Sequence, residues 1–163
     1  METLKRSPYG SVMETTQHTS PSTPSPLELP AQDVLEAIGT RSFATLASTS
    51  ANGWPHAAGV LYAMSGEHLY VSTIGTSRKA RNIAENPRVA VTVPVQRIPF
   101  GPPASIIFQT SARVVRLDDP ELHAAVATGD LKAVTGHGEL ELPGGVFIQI
   151  ALPRKVVTYG LGM

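Results

Sequence analysis

Three cations, Arg78, Lys79 and Arg81, stand at the start of a predicted helix that follows a strand ending at Ser72 and Thr73. A helix start already carries about half a positive charge from its free backbone N–H groups, so cations are unfavourable there. A phosphate would reverse that cost by accepting hydrogen bonds from the N–H groups, the hydroxyls and the cationic side chains. No acidic residue is close to Arg78 or Lys79 along the chain. The sequence therefore predicts a phosphate-binding site.

The other polar residues form no familiar catalytic or metal-binding pattern. His56, His68, His123 and His137 show no pair spacing that suits a metal ion on one helix or strand. No Ser-His-Asp order or closely spaced carboxylate pair indicates a hydrolase. The segment 75–79 lacks the Gly-Lys-Ser/Thr ending of a nucleotide-triphosphate loop. We therefore expect no metal, assign no catalytic residue, and expect a cofactor to supply the chemistry.

Composition sets the class of protein. A chain of 163 residues with 42% hydrophobic residues can bury one sizeable core. The 13 basic and 13 acidic residues cancel, which argues against nucleic acid or an anionic membrane as the partner. There is no cysteine, no apolar run that approaches the ~20 residues of a membrane span, and no secretion signal at the N-terminus. We expect a soluble, cytoplasmic protein.

The chain divides into a tail and one domain. Residues 1–29 are rich in Ser, Thr and Pro and predict a flexible tail, whereas residues 30–163 carry periodic apolar patterns. A short helix is predicted around Val34 to Ile38, a second from about Ser77 to Asn86, and a third after Asp119. The predicted strands are 43–49, 54–64, 68–73, 89–95, 105–117, 146–152 and 155–159.

Short turns join most of these strands. Asn52-Gly53 is a strong hairpin signal, and the first three strands are predicted to form an antiparallel meander. About seven strands with two or three short helices predict a mainly β protein, an antiparallel barrel flanked by helices.

Several motifs carry a family resemblance. They are Arg41–Ala47, Asn52–His56, Leu69–Thr73, Ser77–Asn82 and Asn86–Val89. In this order they resemble the pyridoxamine 5'-phosphate oxidase-like superfamily, the FMN-binding split β-barrels. The resemblance covers residues 31–163 and is strongest over 41–95. It implies an antiparallel split β-barrel that binds FMN between the two subunits of a homodimer.

The resemblance also implies roles for individual residues. Arg78 and Lys79 match the pair that binds the phosphate, and Ser72 and Thr73 match residues that contact the same end of the flavin. Ser77 is expected to cap the helix and to add a phosphate contact. The backbone of Val60, Leu61 and Tyr62 is expected to run beside the isoalloxazine ring.

The resemblance leaves the reaction open. The terminal signature of the true oxidase is missing, and Ile107 replaces a flavin-contacting Gln, so we do not expect vitamin B6 oxidation. The Tyr159-Gly160-Leu161 ending also resembles a branch that binds the deazaflavin coenzyme F-420. The first hypothesis is hydride exchange between FMN N5 and a small organic substrate or NAD(P)H. The alternatives are a deazaflavin-dependent reductase and a non-catalytic module that binds flavin or haem.

Overall fold

The computed structural model describes residues 31–95, 104–153 and 157–159. The helices are α1 (Ala31–Gly39), α2 (Arg78–Glu85), α3 (Pro120–Ala127) and α4 (Lys132–Thr135), with a 3-10 turn at Glu139–Glu141. The strands are β1 (Phe43–Thr49), β2 (Pro55–Leu61), β3 (Ala63–Ser65), β4 (His68–Ile74), β5 (Arg88–Val95), β6 (Ala104–Arg116), β7 (Gly145–Ala151) and β8 (Val157–Tyr159). The predicted tail 1–29 lies outside the described residues, as do the first two residues of the predicted strand 155–159.

The strands form one curled antiparallel sheet. Its order is β2-β1-β5-β6-β7-β4-β3, and β8 pairs with β6 beside this path. The 13-residue β6 pairs with β5 through its first half and with β7 through its second half, so it belongs to both parts of the sheet. Strands β2 and β3 are the first and last in this order, yet only Tyr62 separates them along the chain. The prediction of a mainly β, antiparallel split barrel is confirmed.

The predicted meander of the first three strands is present in its pairings, but its middle strand is not continuous. The pairs β1–β2 and β3–β4 are both antiparallel, as predicted, whereas β2 and β3 lie at opposite ends of the strand order. The single strand predicted for 54–64 breaks at Tyr62, whose N–H donates to Ser42 O at 2.8 Å. The Tyr62 side chain is buried, and its hydroxyl donates to Ile38 O at 2.6 Å. Burial of this one residue turns the chain from one half of the sheet to the other.

Two apolar clusters hold the fold together. The larger lies inside the curled sheet and includes Leu46, Val91 and Ile148, all fully buried. The smaller lies beneath α3 and α4 and includes Leu122 and Phe147. Strand β7 buries side chains on both of its faces, because the helices cover the outer surface of that half of the sheet. Within the described residues, no helix is long and apolar enough to cross a membrane.

Helix α2 is fixed at both ends and along one face. Ser77 is its N-cap, with a side chain that accepts a hydrogen bond from the Ala80 N–H. The helix ends before Pro87, because a residue that precedes proline disfavours the helical conformation. Buried Asn82 donates to the Ser48 hydroxyl of β1 at 3.1 Å. These contacts set the direction in which the first turn of α2 presents its cations.

Candidate cofactor cleft

A cleft of about 470 Å³ opens between β2, the end of β4, the first turn of α2 and the α4 region. We call it the β2–β4 cleft. Its lining includes five residues that the sequence predicted for the site: Val60, Leu61, Ser72, Thr73 and Lys79. The volume falls within the ~300–1,000 Å³ typical of small-molecule and cofactor sites. Residues far apart along the chain thus meet in one concave surface.

One part of the cleft lining combines a cation with hydroxyl groups. The half-buried Lys79 lies there beside the hydroxyls of Ser72 and Thr73. Thr73 Oγ1 donates to Ser77 Oγ at 3.2 Å, and Ser77 Oγ accepts from the Ala80 N–H at 3.3 Å, which confirms Ser77 as the helix cap. Among the described residues, no carboxylate lies within 4.0 Å of the Lys79 ammonium. The ammonium, the hydroxyls and the helix start are suited to one phosphate.

Three of the predicted residues are not part of the cleft lining. Ser77 lies behind Thr73 as the cap, and Arg78 is exposed on the first turn of α2. The Tyr62 side chain is 1% exposed and points toward α1, where desolvation raises its pKa to about 12. The Tyr62 side chain therefore belongs to the core. The cofactor-binding roles of these three residues, and of the five that line the cleft, stay predictions.

The mouth of the cleft is apolar. Leu61, Ile74 and Leu142 line the cleft, and they are 60%, 44% and 41% exposed. Clustered exposed apolar side chains are typical of a surface that binds a ligand or another protein. The cleft therefore joins a cationic end to an apolar rim, as an amphipathic ligand with a phosphate at one end requires.

Sequence reasoning missed the contribution of the α4 region. Ala133, Val134, Glu139 and Leu142 line the cleft, although they lie about 60 residues beyond Lys79 in the sequence. Hydrogen bonds from backbone N–H groups, that of His137 foremost, hold the pKa of Glu139 below its ordinary value. No motif marks this segment, because its position depends on the packing of α3 and α4 on the sheet.

The described part of the cleft lining offers no ligand for haem iron. Among the described residues that line it, none is His, Cys, Met or Tyr, the side chains that ligate haem iron. Across the described residues, no group of three His, Asp or Glu side chains is placed to hold a metal ion.

Comparison with protein families identifies the family of the chain. Residues 31–152 match the family model described as pyridoxamine 5'-phosphate oxidase. No curated protein matches the chain.

Solved structures share the fold at low sequence identity. HutZ, a heme storage protein from Vibrio cholerae, has 18% identity and a TM-score of 0.65 over 78% of this chain and 94% of its own. A FAD-binding protein from Mesorhizobium loti has 22% identity and a TM-score of 0.61 over 80% of this chain and 92% of its own. An F420 reductase has 19% identity and a TM-score of 0.50 over 71% of this chain and 90% of its own. The fold is therefore shared by proteins whose described ligands differ.

Proposed function

Because the chain belongs to the pyridoxamine 5'-phosphate oxidase family, we propose that it binds FMN in the β2–β4 cleft and acts as a flavin-dependent oxidoreductase. One observation carries the proposal. Lys79 from α2, the hydroxyls of β4 and the apolar residues of β2 line the same cleft. A cation at one end and an apolar wall at the other match the phosphate and the ring of a flavin mononucleotide.

The chain's own residues have distinct tasks in this proposal. Lys79, Ser72 and Thr73 bind the phosphate and thereby fix the position of the ligand. Among the described strands, β2 pairs with β1 alone, so its other edge would offer backbone N–H groups to the ring. Leu61, Ile74 and Leu142 cover the ring and exclude water. When bound, FMN supplies hydride transfer, and the protein supplies position and a low dielectric.

The same cleft supports the deazaflavin alternative, because coenzyme F-420 also carries a phosphate. The F420 reductase among the structural neighbours favours keeping this second candidate. The two cofactors differ in their reaction with oxygen, since reduced FMN consumes oxygen readily and the reduced deazaflavin does so poorly. Haem is disfavoured by the absence of an iron ligand among the described residues of the cleft.

The test is to identify what the protein binds. We would record the absorption spectrum of the freshly purified full chain, identify released ligand by mass spectrometry, and titrate the apo-protein with FMN, riboflavin, coenzyme F-420 and haem. The expected result is FMN binding at micromolar concentration or tighter, with riboflavin weaker. Preferential binding of coenzyme F-420 would favour the second candidate. Binding of haem alone, or of none of the four, would contradict the proposal.

A further inference from the structure

Glu139 and Lys79 line the same β2–β4 cleft. A Cβ placed on Gly145 would lie 3.3 Å from the Glu139 carbonyl oxygen, and Gly145 pairs with Ile74 at the end of β4. The next residue, Gly75, donates its N–H to Gly144 O at 2.9 Å. Glu139 is thereby held beside the turn that leads from β4 into α2, and it lines the same cleft as Lys79.

The Glu139 carboxylate is held in place and carries its charge. Its Oε2 accepts from the His137 N–H at 2.8 Å, and its side chain is 23% exposed. The lowered pKa keeps it ionised at neutral pH. Among the described residues, no Lys or Arg lies within 4.0 Å of this carboxylate, and the His137 ring at 3.7 Å is 86% exposed. The residues that line the cleft therefore include one with an ionised carboxylate that has no Lys or Arg partner among the described residues.

We propose that Glu139 makes the cleft selective for a ligand that ends in a single phosphate, because it repels any anionic group beyond that phosphate. This inference rests on the proposed function. Lys79 attracts the first anion, and Glu139 limits how much further negative charge can follow. FMN ends at its phosphate, whereas the deazaflavin continues into a longer polyanionic tail. A charge that is only partly exposed at cleft distances changes affinity by about 5- to 10-fold.

Charge removal at Glu139 tests the inference. Glu139→Gln keeps the size of the side chain and an oxygen that accepts from the His137 N–H. We expect the variant to bind coenzyme F-420 about 5- to 10-fold more tightly relative to FMN than the wild-type chain does. Riboflavin, which has no phosphate, should bind both proteins equally. Glu139→Asp, which keeps the charge, should retain most of the discrimination.

The matched control is Glu141→Gln, which removes an exposed carboxylate from the same turn and outside the cleft lining. It should leave the affinity ratio unchanged, and the effect of Glu139→Gln should shrink as salt is raised. An unchanged ratio in Glu139→Gln, or an equal change in Glu141→Gln, would overturn the inference while FMN binding stands. Failure of the wild-type chain to bind either cofactor would instead contradict the proposed function.

Discussion

Lys79 is the side chain on which the proposed anion site of the β2–β4 cleft depends. It is half-buried, and it is the one Lys or Arg among the described residues that line the cleft. A cation that is partly removed from water and has no carboxylate partner among the described residues binds an anion more strongly than an exposed one. The neighbouring Arg78 is exposed, so water would compete with an anion for its guanidinium.

Replacing Lys79 by Ala should weaken FMN binding by about 10- to 100-fold, the effect of losing one charge-assisted contact. Riboflavin should bind both proteins equally, since it lacks the phosphate. The measurement is quenching of flavin fluorescence during titration of the apo-protein. Arg81→Ala is the control, because it removes an exposed cation from the same helix outside the cleft lining. Equal losses for FMN and riboflavin would indicate a folding defect and would contradict the assigned role.

The sequence identified the cations at the start of α2 but could not show which of them lines the cleft. Each residue of a helix is rotated by about 100° from the one before it, so Arg78 and Lys79 face different directions. The direction of each is set by Asn82, which anchors α2 to Ser48 of β1. That contact joins residues 34 positions apart and leaves no local signal. Glu139 was missed for the same reason.

At the scale of elements, the sequence predicted the features that depend on neighbouring residues, namely the hairpin turn and the two ends of α2. Gly53 adopts φ 80° in the predicted hairpin turn, and α2 begins and ends where its cap and Pro87 indicated. The break at Tyr62 was not predicted, because it depends on a hydrogen bond from its hydroxyl to Ile38 O in α1. The pairing of strands that follow one another was therefore predicted, whereas the division of the middle strand between the two ends of the sheet depends on this long-range contact and was not.

Helix α3 is tied to the sheet by a polar network around Arg113. The guanidinium pairs with Asp119 at 3.1 Å and Glu121 at 2.8 Å and also donates to Gln149. The buried Gln149 side chain donates to the Tyr70 hydroxyl at 2.9 Å. Hydrogen bonds from Gln149 and Arg113 lower the pKa of Glu121. For Asp119, desolvation acts in the opposite direction, but the hydrogen bonds from the Glu121 N–H and Arg113 lower the pKa overall.

These pKa shifts predict an acid-sensitive contribution to stability. A carboxylate whose pKa is lower in the folded state stabilises it above the unfolded pKa, and that contribution is lost as pH falls through the folded pKa. Arg113→Met removes the partner of both carboxylates. The variant should therefore lose less of its melting temperature than the wild-type chain between about pH 6 and pH 3, with a difference of a few degrees.

Arg116→Met is the control for this measurement. Arg116 pairs with Asp118 at 3.2 Å, but their side chains are 81% and 76% exposed, so solvent screens the pair. Its thermal unfolding should follow the wild-type pH dependence. If the melting temperatures of Arg113→Met and Arg116→Met depend on pH in the same way, the charges of the Arg113 network do not contribute to stability.

At the scale of the whole molecule, the two halves of the sheet are covered differently. Helices α3 and α4 pack over β4 and β7, whereas α2 contacts the β1–β2 hairpin through the buried Ser48, which lies on the opposite face from Phe43. The residues on the Phe43 face, the outer face of the hairpin, are Phe43, Thr45, Ala47, Thr49, Pro55, Ala57, Gly59 and Leu61. None of them is charged, although the exposed face of an antiparallel sheet is usually polar. We propose that a second copy of the chain covers this face.

Phe43 offers the sharpest test of the homodimer. Its ring lies 3.1 Å from the position of a Cβ on Gly59 and remains 47% exposed, so a charge there is tolerated by a monomer but not by an apolar interface. Phe43→Asp should convert a dimer into a monomer in light scattering coupled to size exclusion, and Ala124→Asp, at an exposed position of α3, should not.

Leu61 opposes Phe43 in the hairpin and also lines the cleft, which makes the outer face continuous with the proposed cofactor site. Phe43→Asp should therefore weaken FMN binding together with assembly. A wild-type chain that is monomeric at micromolar concentration with FMN bound would contradict the dimer and leave the cleft as a site within one chain.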